Sequence, residues 1–219
     1  LEIDGMPHVL HAGENVAHRR TPPAVGIFKL VVSAVSYTLC GKVGRRAKYL
    51  FLGQNIRDLI HALAVNDHAE DAAYNGGSFL VSGSYVATDI WDKTNPDEAS
   101  KEFAKQTLGY QWRVGQATIE GKAHTVPTYF DSFGDLNVEY YTTLNDKFYA
   151  VESPDGIYPA DKTKGCTLMR YGENNIPAAV VADQGGYRTC VMGFPFETIK
   201  DAASRRVLMG QIMEFFNKK

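Results

Sequence analysis

Short apolar runs separated by glycine- and asparagine-rich breaks alternate with stretches of helical period along this chain, and that alternation predicts an α/β domain. Ser78 to Ser82 is the clearest strand. Asn75-Gly76-Gly77 breaks the chain before it and Gly83-Ser84 breaks it again after it, each glycine admitting backbone conformations that end an element. Upstream, Lys48 to Leu52 reads as a strand closed by Gly53, and Ile56, Leu59, Ile60 and Leu63 then recur at i, i+3, i+4, i+7, the stripe of an amphipathic helix. Strand, helix and strand form a βαβ unit with a right-handed crossover, which predicts that Lys48 to Leu52 and Ser78 to Ser82 are parallel neighbours. Gly53 and Ser84 would then share the carboxyl edge of the sheet, where open α/β folds bind ligands.

The rest of the chain extends this picture. Val25 to Leu39, rich in β-branched and aromatic residues, predicts one or two strands. Asn95-Pro96-Asp97-Glu98 has the order of a capped helix start, with Asn95 as N-cap, and that helix is expected to run to Leu108. From Tyr110 to Tyr149 aromatic and β-branched segments broken at Glu120-Gly121, Phe133-Gly134 and Asn145-Asp146 predict β-hairpins inserted at the sheet's edge. Cys166 to Tyr171, Ala178 to Ala182 and Thr189 to Phe194 predict a meander, and Asp201 to Asn217 a closing helix with Leu208, Ile212 and Phe215 as its buried stripe.

Length and charge narrow the function. A chain of 219 residues buries one full core, and a formal charge of −2 gives no electrostatic case for nucleic acid. The longest apolar region, Ala24 to Cys40, is interrupted by Lys29 and too short for a membrane span. Cys40, Cys166 and Cys190 have neither CxxC nor zinc-ligand spacing, leaving one Cys166–Cys190 bridge as the open disulfide option. No metal or other cofactor motif emerges. Gly41 to Arg46 lacks the order of a phosphate loop, and the acidic run Asp89, Asp92, Asn95, Asp97, Glu98 matches no EF-hand.

Several longer motifs, Gly-Gly-Ser-Phe-Leu-Val-Ser-Gly-Ser-Tyr-Val-Ala-Thr-Asp (76–89), Tyr-Gln-Trp-Arg-Val-Gly-Gln-Ala (110–117), Val-Glu-Ser-Pro-Asp-Gly-Ile (151–157), Arg-Tyr-Gly-Glu-Asn-Asn (170–175) and Gly-Phe-Pro-Phe-Glu-Thr-Ile (193–199), resemble those of bacterial secreted proteins labelled xanthan lyase. The resemblance implies a class I glutamine amidotransferase-like domain over residues 50–219, a flavodoxin-like three-layer sandwich whose mostly parallel sheet has helices on both faces, with a β-rich insertion at about 110–150. Residues 1–49 would be an N-terminal segment of the same domain. It also implies a secreted or periplasmic location and further domains of a larger chain. Active amidotransferases carry a cysteine at the elbow and a histidine beside the late acid. Here Ser84 stands at the elbow and Glu197 matches the acid with no adjacent histidine, which argues against ammonia release from glutamine.

Two readings of function follow. In the first, the domain is a non-catalytic module of an envelope or polysaccharide-utilisation protein, with Trp91, Trp112, Tyr129, Phe130, Tyr140 and Tyr141 as candidate sugar-stacking surfaces. In the second, Ser84 is the nucleophile of a serine hydrolase or polysaccharide-degrading enzyme, with Glu197 as the acid and His61, His68 or His124 as base. Both place a ligand in one pocket lined by Gly53, Gln54, Ser84, Tyr85 and Glu197. A carbohydrate is the ligand class that suits it.

Overall fold

The computed structural model describes residues 29–34 (backbone only), 78–91, 98–144 and 150–218. A seven-stranded sheet runs in the order β1 (Lys29–Ala34), β2 (Ser78–Gly83), β9 (Arg188–Met192), β8 (Pro177–Asp183), β7 (Gly165–Tyr171), β4 (Lys122–Thr125), β5 (Asn137–Glu139). β3 (Tyr110–Val114) and β6 (Gly156–Pro159) pair separately as an antiparallel ribbon. The helices among the described residues are α1 (Thr88–Trp91), α2 (Glu98–Phe103), which continues as a π-helix over Ala104–Leu108, and α3 (Ala202–Asn217).

This architecture corrects the expected mostly parallel three-layer sandwich. The sheet is mixed and curled into a half-barrel. Only β1–β2 and β2–β9 run parallel, while β9–β8, β8–β7, β7–β4 and β4–β5 are antiparallel. The cause lies in the connections. A parallel pair needs a crossover of a dozen or more residues, whereas β7, β8 and β9 follow one another through tight turns that force antiparallel pairing. Those turns are held by Asn175 at φ 57° and Gly185 at φ 89°, left-handed conformations that asparagine and glycine accept readily. Within the segment expected to form hairpins, β4 and β5 pair antiparallel and extend the main sheet beyond β7 to its edge.

β2 is buried along its whole length, which explains why its sequence is a continuous apolar run rather than an alternation. Its successive side chains feed two cores. Leu80 joins the core built with Leu168, Met192, Phe194 and the Leu208, Ile212, Phe215 stripe of α3. Phe79 and Val81 join the opposite core, with Ile90 of α1, Leu108 of the π-helix, Tyr110, Ile157 and Val191. Among the described residues, that second face is covered by the short helices and the β3–β6 ribbon. α3 starts where Asp201 caps it, its Oδ2 accepting from the Ser204 N–H at 2.7 Å. Arg188 ties the other end of α3 to the sheet by donating to the Phe215 carbonyl at 2.6 Å while pairing with Asp183 at 2.8 Å.

Cys166 and Cys190 are both free, and the disulfide option is closed by the register. Each lies opposite Val181, on either side of β8. Two strand spacings separate them by about 9 to 10 Å, beyond the reach of a disulfide. The expected strand Lys48 to Leu52, its helix, the Asn75-Gly76-Gly77 break and the Asn95 cap lie outside the described residues. The expected pairing of Lys48 to Leu52 directly beside Ser78 to Ser82 is corrected all the same, because both sides of β2 are occupied, by β1 and by β9, each parallel to it.

Candidate functional site

β2 and β9 run parallel with Ser82 opposite Met192, so both chains leave the sheet at the same edge. There β2 turns sharply through Ser84–Ala87 into α1. β9 passes through Gly193 into a 3-10 turn at Phe196–Thr198, whose first N–H, on Phe196, donates to Ser82 Oγ at 3.2 Å. Ser84, Tyr85 and Glu197 therefore belong to one edge. Gly53 and Gln54 lie outside the described residues.

The turn after β2 has the order Gly83-Ser84-Tyr85-Val86-Ala87. In a nucleophile elbow of the G-x-S-x-G type the reactive residue sits at the strained centre of such a pentapeptide. Here the centre is Tyr85, with φ at 60°, and Ser84 precedes it half-buried. An aromatic residue in the left-handed region costs about 1 kcal/mol or more and persists only where its surroundings enforce it. Tyr85 is nevertheless 39% exposed, so the strain holds a large ring out toward solvent.

What enforces the turn is Asp155, which the sequence reading placed inside a shared motif without giving it a role. Its Oδ2 accepts from the Ala87 N–H at 2.7 Å and the Thr88 N–H at 3.0 Å, and its Oδ1 accepts from the Thr88 hydroxyl at 2.5 Å. The carboxylate thus occupies the free backbone donors where α1 begins. The Asp155 main chain is pinned as well, its N–H donating to the Gly193 carbonyl at 2.7 Å and its carbonyl accepting from the Tyr171 hydroxyl at 2.8 Å. Tyr110 adds a further tie, its hydroxyl donating to the Val86 carbonyl at 2.5 Å, and Trp112 Nε1 donates to Thr88 Oγ1 at 3.2 Å.

Asp155 is fully buried. Burial pushes its carboxyl up to about 6, against the pull of the three hydrogen bonds, and the charge of nearby Asp89 adds to the rise. The Tyr110 and Tyr171 phenols are pushed well above their ordinary value by burial, with the Asp155 charge contributing. The only sequence signal for this latch is Pro154-Asp155-Gly156, which reads as a turn.

Of the three candidate bases for Ser84, His124 is described, and the sheet does not bring it to Ser84. His124 lies on β4, four strand spacings from β2, about 19 Å along the sheet. His61 and His68 lie outside the described residues. The six aromatic residues proposed for sugar stacking do not form one surface. Trp91 and Trp112 pack on the second core, whereas Phe130 and the buried, Phe194-stacked Tyr140 pack on the first. Of the acidic run, Asp89 and Glu98 are described, and among the described residues no three His, Cys, Asp or Glu side chains gather to hold a metal ion. No described helix is long and apolar enough to cross a membrane.

No protein-family model matches the chain, and no curated protein is significantly similar to it. Among solved structures, similarity extends to an exo-β-1,4-mannosidase (Op5Man5) from Opitutaceae bacterium strain TAV5, over 77% of this chain at 15% identity and a TM-score of 0.39. The chain spans 24% of that protein. A likeness this loose says nothing about activity.

Proposed function

We propose that the chain is a non-catalytic module that binds a hydroxylated ligand, a carbohydrate, at the edge where β2 and β9 end. The observation that carries this reading is the Asp155 latch. An acyl-transfer or hydrolytic elbow needs free backbone donors to meet a developing oxyanion and a base beside its nucleophile. At this elbow the Ala87 and Thr88 donors are spent on an internal carboxylate, and the strained central position carries a phenol. An exposed aromatic ring at the same sheet edge as a hydroxyl and a carboxylate is instead the chemistry that recognises a sugar, whose apolar face stacks while its hydroxyl groups find acceptors. In this reading Tyr85 is the stacking surface, Ser84 and Glu197 are the polar contacts, and the module serves a secreted bacterial polysaccharide-utilisation protein.

The test is a calorimetric series against soluble polysaccharides and peptidoglycan fragments, with Tyr85→Gly as the variant. Glycine removes the ring and accepts φ 60° without strain, so stability is expected to stay within about 1 kcal/mol while binding weakens tenfold or more. Absence of binding to every glycan tested, or equal binding by Tyr85→Gly, would remove the carbohydrate reading. Ser84 also carries the competing hydrolase reading. A fluorophosphonate label that is taken up by the protein and lost in Ser84→Ala would establish that reading in its place.

A further inference from the structure

At the opposite edge of the sheet, where β9 begins, the structure forms a small polar cleft. β8 runs antiparallel to β9, so Gln184, just past the end of β8, lies beside the start of β9. The five residues of β9 separate this edge from the Tyr85 edge by about 17 Å. The cleft, about 30 Å³ in volume, is lined by Lys105 and Gln106 of the π-helix, Gly109, Asp161, Lys164 and Gln184. A water needs about 10 to 15 Å³ of such space, so the cleft has room for two or three waters, or for one group of carboxylate size.

Its polarity selects the charge of that group. Neither Lys105 nor Lys164 forms an ion pair with a described residue. The one carboxylate present, Asp161, already accepts at Oδ1 from the Thr163 N–H at 2.8 Å and the Thr163 hydroxyl at 2.6 Å. The cleft is therefore lined by two lysines and two glutamines against one carboxylate, Asp161, which the Thr163 hydrogen bonds and the Lys164 charge hold below its ordinary range. The surrounding backbone is fixed rather than adaptable. The π-helix carbonyls of Thr107 and Leu108 are taken by the Tyr187 and Thr189 hydroxyls, at 3.0 and 2.8 Å. Gly109, at φ 80°, lets the Gln184 amide sit so close that an added Cβ would lie 2.9 Å from its Nε2. Single π-turns of this kind are common at functional sites.

We propose that this cleft binds a small oxyanion, a carboxylate, sulfate or phosphate group, held by Lys105 and Lys164 with the Gln106 and Gln184 amides as further donors. Such an anion comes either free in solution or as the acidic substituent of a sugar. The site is independent of the Tyr85 edge. The test is an amide NMR titration of the whole chain with sodium phosphate, sodium sulfate and sodium glucuronate at constant ionic strength. Saturable shifts centred on Gln106, Gly109 and Gln184 are expected, with apparent affinity falling about tenfold in Lys105→Ala/Lys164→Ala and unchanged in Lys122→Ala, an exposed lysine on β4. Tighter binding of glucuronate than of the inorganic ions marks a sugar-borne anion, and equal or weaker binding marks a free one. Lys105 and Lys164 are at least partly exposed, so the double variant is expected to fold, and Lys164→Gln gives a milder second reading of the same loss. Shifts that do not saturate, that centre elsewhere, or that persist undiminished in the double variant would overturn the proposal. Tyr85→Gly is expected to leave these shifts unchanged.

Discussion

Asp155→Ala is expected to destabilise the domain by about 3 kcal/mol at neutral pH, and Asp155→Asn to restore most of that loss. Alanine leaves the buried Ala87 N–H and the part-buried Thr88 N–H without an acceptor, each worth about 1 to 3 kcal/mol, and takes the acceptor from the Thr88 hydroxyl proton. Part of that cost is offset because a desolvated charge disappears with it. Asparagine keeps an oxygen for the two N–H donors and turns its amide toward Thr88 Oγ1. The same pair of proteins reveals the titration. The folded carboxyl stands at about 6 against an ordinary 3.8, so the folded state binds the proton more tightly than the unfolded one. The stability this group contributes is full below about pH 4 and is lost as pH rises through 6, a swing of about 3 kcal/mol. Urea denaturation from pH 4 to 8 should show wild type losing stability relative to Asp155→Asn across that interval. Other carboxylates, Asp131, Asp161, Glu173 and Asp201, are held below their ordinary range by hydrogen bonds and give the opposite slope, which is why the comparison with Asp155→Asn is needed.

Gly193→Ala is expected to be as damaging, by about 3 kcal/mol or more, although it adds only a methyl group. The new Cβ would collide with the Asp155 carbonyl oxygen, and that oxygen is backbone. Gly193 also accepts from the Asp155 N–H and donates to the Ala178 carbonyl, so the chain on both sides is anchored and cannot retreat without breaking the latch. Thermal unfolding of Gly193→Ala beside Gly134→Ala provides the contrast, because an added Cβ at Gly134 meets only the end of a glutamine side chain, at 3.4 Å. Equal melting temperatures for the two variants would contradict this packing.

The elements that local chemistry specifies were legible in the sequence. β7, β8 and β9 lie close to their expected bounds because Asn175 and Gly185 mark the turns between them, and α3 follows its apolar stripe from the Asp201 cap. Strand direction was not legible from the βαβ pattern, which concerned only β2 and a strand outside the described residues. It followed instead from connection length, and those short turns, read in the sequence as a meander, were outweighed there by the expectation of a parallel sandwich. The elbow was found from Gly83-Ser84, but its strained centre, Tyr85, differs from the residue a serine-based reading selects. Asp155 was hidden for a different reason. A buried carboxylate 67 residues from the backbone it caps leaves no periodic trace, and only a folded sheet brings the two together.

The most direct test of the latch is an amide NMR pH titration read at Ala87 and Thr88. In the wild-type chain both N–H signals should move together with a midpoint near pH 6, and in Asp155→Asn both should stay flat over the same range. Signals that remain flat in the wild type between pH 4 and 8 would contradict the raised carboxyl, and signals that move equally in Asp155→Asn would contradict the assignment of Asp155 as the group that holds the elbow.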